Sequence, residues 1–438
     1  MLKCIGIRRE TKDKTQRRAP LSPTHVRALV RKHGIRVLVE PWPQRVFPDA
    51  EYRRAGAEIT DDLSSANIIF GVKEVTSDYL LEHKAYCFFS HTIKGQEYNM
   101  DMLQTILDRN ISLFDYELVK DNEGKRIVFF GDYAGYAGMI DTLWALGRRL
   151  SSEGIRTPFS GIKYANKYES LEEASAAIHK AGRRIARNGL PRELVPFVVG
   201  FTGYGRVSTA AQNVFDLLPY EEMEPQDLPA FMQGRKFSNR VLYKVKFQKP
   251  DMFQHLVRGK KFNVKEFTRY PYRYVNRFER YVPFLSIIVN GIYWEPQFPS
   301  LLSKRYIKTL FAIERRPRLR VIGDITCDVE GSIELTVKTT DSRNPLYVFE
   351  ARTGKTIDGW RGRGPVVLAV DMLPTELPRE ASEAFGTGLL PFVPKLAAAS
   401  YSKNWNTLNI PSEFRDALIT HHGHLTPCFT YLKKHLPK

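Results

Sequence analysis

The stretches Ile68-Ile-Phe-Gly-Val-Lys-Glu74 and Cys87-Phe-Phe-Ser-His-Thr-Ile-Lys94 decide how this chain is read. Each contains an apolar run rich in Ile, Val and Phe, too short for a helix. Such runs are the buried strands of a parallel sheet. Just past each run comes a basic titratable group, Lys73 after the first and His91 after the second. In open α/β sheets, ligands bind in the crevice beyond the carboxyl ends of the strands. The two side chains are candidates for an acid–base pair, with a surface lysine and a satisfied core histidine as the alternative reading.

On either side of these runs, strand and helix alternate. The pattern predicts strand 2–7, helix 23–33, strand 36–39 and helix 50–54 before them, then helix 98–109 and strand 112–115 after them. A hairpin at Asp121-Asn-Glu-Gly124 then leads into a strand at 127–130. The run Gly131-Asp-Tyr-Ala-Gly-Tyr-Ala-Gly138 feeds an amphipathic helix at 139–150. Its small residues suggest either close packing or a hinge into a second domain.

A second decisive stretch is Val195-Pro-Phe-Val-Val-Gly-Phe-Thr-Gly203-Tyr-Gly205-Arg206-Val207-Ser208. An apolar strand runs into Gly203-x-Gly205-x-x-Ser208 and then into a helical pattern. The first glycine permits the tight turn, the second lets the backbone approach a pyrophosphate, and the third position needs a small residue. Glu224 follows about 20 residues on, where an acid would bind a ribose 2′-hydroxyl. That acid argues for NADH. Arg206, with Arg235 and Lys236, supplies positive charge for the 2′-phosphate of NADPH.

The 438 residues allow two or three domains, with 43% hydrophobic residues and no apolar run of membrane-spanning length. Four cysteines lie far apart, so neither a disulfide framework nor a metal site is expected. The amino terminus enters a strand at once, with no leader pattern, which is read as a cytoplasmic, reducing location. The net charge of +18 raises nucleic acid as a partner, and the excess is densest between residues 234 and 280. No nucleic-acid-binding motif accompanies it. A solvated basic face, or a field for anionic substrate and cofactor, is the preferred reading.

Several motifs resemble one family. The runs Arg8-Arg-Glu-Thr-Lys12 and Arg17-Arg-Ala-Pro-Leu-Ser-Pro23 look like the opening of the alanine dehydrogenase/transhydrogenase superfamily. Gly71-Val-Lys-Glu74, Phe88-Phe-Ser-His-Thr-Ile-Lys94, Asp115-Tyr-Glu117 and Phe130-Gly-Asp-Tyr-Ala-Gly-Tyr-Ala-Gly-Met139 point to one branch. So do Asn290-Gly-Ile-Tyr-Trp-Glu295 and Gly323-Asp-Ile-Thr-Cys-Asp-Val-Glu-Gly-Ser-Ile-Glu334. They resemble the lysine–ketoglutarate reductase half of bifunctional aminoadipic semialdehyde synthase. Because the chain stops at Lys438, a free-standing reductase module is expected, with a separate saccharopine-oxidising enzyme as its partner.

The resemblance implies two Rossmann-like α/β domains with parallel sheets and an active site in the interdomain cleft. The expected boundaries are 1–134 for the catalytic domain, 135–324 for the dinucleotide domain, and 325–438 for a portion returning to the first. It also implies condensation of lysine with 2-oxoglutarate and reduction of the imine to saccharopine, with NADPH preferred over NADH. Lys73 and His91 then become the acid–base pair, with Glu74 and Glu117 as neighbours. Arg18, Lys94 and Arg126 are candidates for the substrate carboxylates, and Asp324 or Asp328 for pairing with Lys94. Asn290 joins the glycine turn in holding the cofactor. Asp132 stands where relatives carry uncharged residues. Another imine-reducing amino-acid dehydrogenase on the same frame is the main rival, and a basic nucleic-acid scaffold the second.

Overall fold

The computed structural model describes residues 3–11, 15–234 and 236–437. The chain forms two units, one from residues 1–130 with 378–438, the other from 131–377.

The first unit opens with strands β1 (Cys4–Ile7), β2 (Arg36–Val39) and β3 (Glu58–Ile59). It continues with β4 (Ile68–Phe70), β5 (Ala85–Phe88) and β6 (Ser112–Asp115). The C-terminal return adds Leu418–His421 and His424–Leu425, β17 and β18 in chain order. The sheet order is β18-β17-β6-β5-β4-β1-β2-β3. Strands β1 to β6 are parallel, and β17 is antiparallel to β6. Strands β1, β4, β5 and β6 are buried throughout; the first three are unbroken apolar runs, whereas β6 begins on Ser112 and ends on Asp115. From β1 the chain winds outward to β2 and β3, then returns to β4 on the other side. The crevice beyond β1 and β4 is thus a topological switch point. Helix α1 (Pro23–His33) starts where Ser22 caps it and Pro23 occupies the first turn.

The segment expected as a strand at 127–130 forms none. The hairpin shrinks to one bridge between Lys120 and Arg126. The glycine-rich run lies inside a long helix, Gly131–Ser152, instead of preceding it. Close packing explains the small residues. A Cβ on Gly135 would sit 2.2 Å from the Val207 carbonyl oxygen.

The second unit holds β7 (Val198–Thr202), β8 (Tyr220–Met223), β9 (Leu242–Phe247) and the hairpin β10 (Phe253–His255)–β11 (Tyr274–Asn276). Then come β12 (Ile287–Asn290), β13 (Val321–Asp324), β14 (Leu346–Phe349), β15 (Thr356–Asp358) and β16 (Val366–Leu368). The eight-stranded order is β15-β14-β16-β13-β12-β7-β9-β8, parallel from β8 through β16, with β14 and β15 antiparallel. Alternate residues of β12 serve opposite cores. Ile287 and Val289 pack with the 131–152 helix, and Ile288 packs with Tyr281 and Leu301. The return to the first unit comes at Pro378, not at 325 as the motifs implied. The reason is that β13 is followed by three more strands of its own sheet. Among the described residues no helix is long and apolar enough to cross a membrane.

Candidate active site

Beyond β1 in the first unit, buried Glu10 accepts from two successive N–H groups shortly after β4. Val72 N–H donates to Oε1 and Lys73 N–H to Oε2, each at 2.8 Å. That clamp fixes the backbone from which Lys73 projects, a half-buried side chain. His91 lies three residues past β5 with φ +48°, a conformation unusual for any residue but glycine. Its Nδ1 sits 2.7 Å from Oε1 of buried Glu74. Asn99 holds the same carboxylate, its Nδ2 donating at 3.3 Å, and also donates to the Ser90 carbonyl at 2.9 Å. A carboxylate on Nδ1 sets the ring orientation. The structure thus joins His91 and Glu74 directly.

Below the ring, Phe89 stacks on His91 at 6.4 Å, and Phe89, Tyr116, Phe130 and Phe385 form an aromatic cluster. The buried Arg18 guanidinium lies 4.1 Å from the Phe130 ring centroid, and its Nε donates to Gln16 Oε1 at 2.9 Å. These two contacts hold the arginine against the aromatic face. Asp115, fully buried, accepts the Ser90 hydroxyl and the Glu117 N–H. Burial pushes its carboxyl up to about 6, against those hydrogen bonds. Glu117 lies 3.7 Å from half-exposed Arg126, and Lys94 is exposed.

In the second unit, Gly203 has φ +84°, and a Cβ there would meet the Gly291 carbonyl oxygen at 2.6 Å. Gly205 has nothing within 4 Å of its Cβ position, so bare backbone faces open space. Arg206 then opens the helix Arg206–Phe215, with Val207 behind it and Ser208 buried. A dinucleotide pyrophosphate fits such a helix start. Asn290 ends β12 level with Thr202, whose hydroxyl donates to Oδ1 at 2.6 Å. Its Nδ2 donates to Asp324 and Ser332, both at 2.8 Å. Asp324 also accepts from Thr326 and Thr336, while Asp328 is exposed. Asp324 is therefore a buried member of the Asn290 network, and its oxygens are already engaged there.

Glu224 follows β8, which is the edge strand. β9 stands between it and β7. It is thus not on the neighbour of β7, as the sequence spacing assumed. Part of the basic excess at 234–280 is paired. Lys244 meets Asp216 at 2.7 Å, and Glu266 receives Lys260 at 2.8 Å and Arg273 at 2.9 Å. Leu2, Lys12 and Arg235 lie outside the described residues. Glu10, Asn99 and Phe385 were not singled out from sequence. Glu10 sat inside a quoted motif, whereas Phe385 returns from 255 residues beyond Phe130 with no local signal.

Residues 6–137 match the family described as alanine dehydrogenase/PNT, N-terminal domain. The chain is 37% identical over 447 residues to the alpha-aminoadipic semialdehyde synthase of Arabidopsis thaliana, covering 98% of this chain and 41% of the relative. The mitochondrial alpha-aminoadipic semialdehyde synthase of Rattus norvegicus is 36% identical over 448 residues, covering 98% and 47%. The chain spans less than half the length of these two relatives. Saccharopine dehydrogenase [NAD(+), L-lysine-forming] of Candida glabrata is 26% identical, covering 92% of this chain and 94% of that one. The resemblance read from the motifs is borne out along nearly the whole sequence. Among solved structures, an L-alanine dehydrogenase aligns with a TM-score of 0.63 at 19% identity, covering 99% and 100% of the two chains. A transhydrogenase from Sinorhizobium meliloti aligns with 0.57 at 14%, covering 97% and 100%. Both share its two Rossmann-like sheets.

Proposed function

We propose that this chain is an oxidoreductase that joins the ε-amine of lysine to the keto carbon of 2-oxoglutarate and reduces the imine to saccharopine. The observation that carries this reading is the similarity, over 98% of the chain, to proteins named aminoadipic semialdehyde synthase. The saccharopine dehydrogenase of Candida glabrata, matched over 94% of its own length, supports the same substrates.

The geometry suits the chemistry. The amine must lose a proton before it attacks, and the carbinolamine oxygen must gain protons to leave as water. His91, oriented through Nδ1 by Glu74, exchanges a proton at Nε2, and Lys73 serves as its partner from the next strand. Arg18, Lys94 and Arg126 supply positive charge for the substrate carboxylates. The aromatic cluster under His91 excludes water from the imine. A nicotinamide dinucleotide, when bound at the Gly203–Ser208 turn, supplies the hydride. NADPH is the preferred form in this reading.

Incubation of the protein with lysine, 2-oxoglutarate and NADPH should yield saccharopine by mass and consume nicotinamide absorbance in step. Turnover with ammonia or another amine, and none with lysine, refutes the substrate assignment.

A further inference from the structure

The usual spacing rule places the ribose-binding acid at the end of the second strand because that strand normally lies beside the first. Here the second strand in sequence, β8, is the sheet edge, and β9 fills the place next to β7. Adjacent strands lie about 4.8 Å apart, so β8 is roughly 10 Å from β7. The register pairs Thr202 with Phe247, and Met223 with Val245. One residue further, Gln248 comes level with Gly203, the first glycine of the turn. Glu224, by contrast, follows Met223 on the far side of β9.

We infer that the adenosine 2′ position of the dinucleotide is read at the carboxyl end of β9, by Gln248 and Lys249, that this end favours a 2′-phosphate, and that Glu224 takes no part. The inference rests on the nicotinamide-dinucleotide reading above. A diol-binding site needs a carboxylate at this end of the strand, since only an acceptor pair holds the two hydroxyls and repels a phosphate. The chain instead continues Gln248-Lys249-Pro250-Asp251. Gln248 is exposed and Lys249 half-exposed. The carboxylate of that segment, Asp251, is turned back on the backbone, where Oδ2 accepts the Gln248 N–H at 2.9 Å. The Lys249 ammonium lies 5.5 Å from the Phe267 ring centroid, a weak hold that a phosphate can outbid. Arg206 opens the helix directly after the turn, at the end of β7, the strand beside β9. Glu222 of β8 is paired with Lys246 of β9, which further occupies the acidic side of this edge.

The test is direct binding of NADPH and NADH to the full chain, followed by nicotinamide fluorescence without amino-acid substrates. Competition by 2′-AMP and 5′-AMP separates the 2′-phosphate from the rest of the nucleotide. Lys249→Asp should lower the NADPH/NADH affinity ratio by about tenfold or more, the worth of a lost charge-assisted contact. The milder Lys249→Gln, chosen in case the acid disturbs the turn, should lower it less and abolish the advantage of 2′-AMP. Gln248→Asp should move the ratio the same way. Glu224→Gln should leave it within about twofold. A ratio unmoved by the β9-end variants, or one moved chiefly by Glu224→Gln, overturns the inference. A wild-type protein that binds neither dinucleotide overturns both this inference and the reading beneath it. Selective NADPH binding without turnover of lysine and 2-oxoglutarate supports the inference and sinks the substrate assignment alone.

Discussion

Gly135→Ala tests whether the helix at 131–152 holds the glycine turn in place. On helix propensity alone the change stabilises, by roughly 0.5–1 kcal/mol. The packing says otherwise. The new Cβ would stand 2.2 Å from the Val207 oxygen, 2.6 Å from the Ala210 Cβ and 2.9 Å from the Ala211 nitrogen. Carbon–oxygen contacts settle near 3.3 Å, so the two helices must separate by about 1 Å. Two of the three clashing atoms are backbone, which cannot rotate away. Overpacking of this kind costs about 3 kcal/mol, the upper end of the usual range. The net is about 2 kcal/mol of destabilisation, or a Tm lower by about 4–8 °C for a unit of this size. Because Val207 belongs to the turn's own helix, dinucleotide affinity should fall by about tenfold as well. Circular-dichroism melting and NADPH fluorescence titration measure the two effects. A Tm equal to or above that of the parent chain refutes the reasoning, because propensity would then have outweighed packing.

Replacing His91 with Ala, or Lys73 with Met, should lower kcat by about 10²–10⁴ and leave NADPH affinity intact, with the double variant losing less than the product. Unimpaired turnover in either single variant removes that residue from the mechanism. Asp141 and Glu376 are a buried pair whose carboxyls are both raised by burial, Asp141 also by its neighbour. The folded state therefore keeps protons that the unfolded chain releases, and stability declines as pH rises above the unfolded values near 4. Asp141→Asn, which retains an acceptor for the Ala165 N–H now held at 2.7 Å, should flatten that decline. Parallel Tm curves between about pH 5 and 9 in the two proteins would count against it. Finally, added salt should raise the KM for 2-oxoglutarate more than it lowers kcat, since steering fades over a Debye length of about 8–10 Å. A KM indifferent to salt leaves the +18 charge without this role.

What the sequence reveals and conceals follows from where each stabilising partner lies. β4, β5 and β7 are legible because burial on both faces writes an uninterrupted apolar run, and their ends name Lys73, His91 and the glycine turn. Glu74 is legible as a neighbour, but its 2.7 Å contact to His91 depends on the positive φ at residue 91, which no spacing predicts. β9 is the instructive failure. Leu242-Tyr-Lys-Val-Lys-Phe247 reads as part of a basic, solvated surface, yet Lys244 is buried in the interior of the sheet. Its ammonium is met by both oxygens of Asp216, at 2.7 and 3.0 Å, and lies over the Phe201 and Tyr220 rings at 5.8 and 5.0 Å. A lysine can line a core strand when its stem is packed and its charge is paired. Asp216 comes from the end of a helix 28 residues earlier, so the pairing leaves no local mark. With β9 hidden, β8 takes its place beside β7 in any reading by spacing, and the acid at its end is assigned to the ribose. Strand order, which only long-range pairing determines, moves that assignment to the residues that follow Phe247.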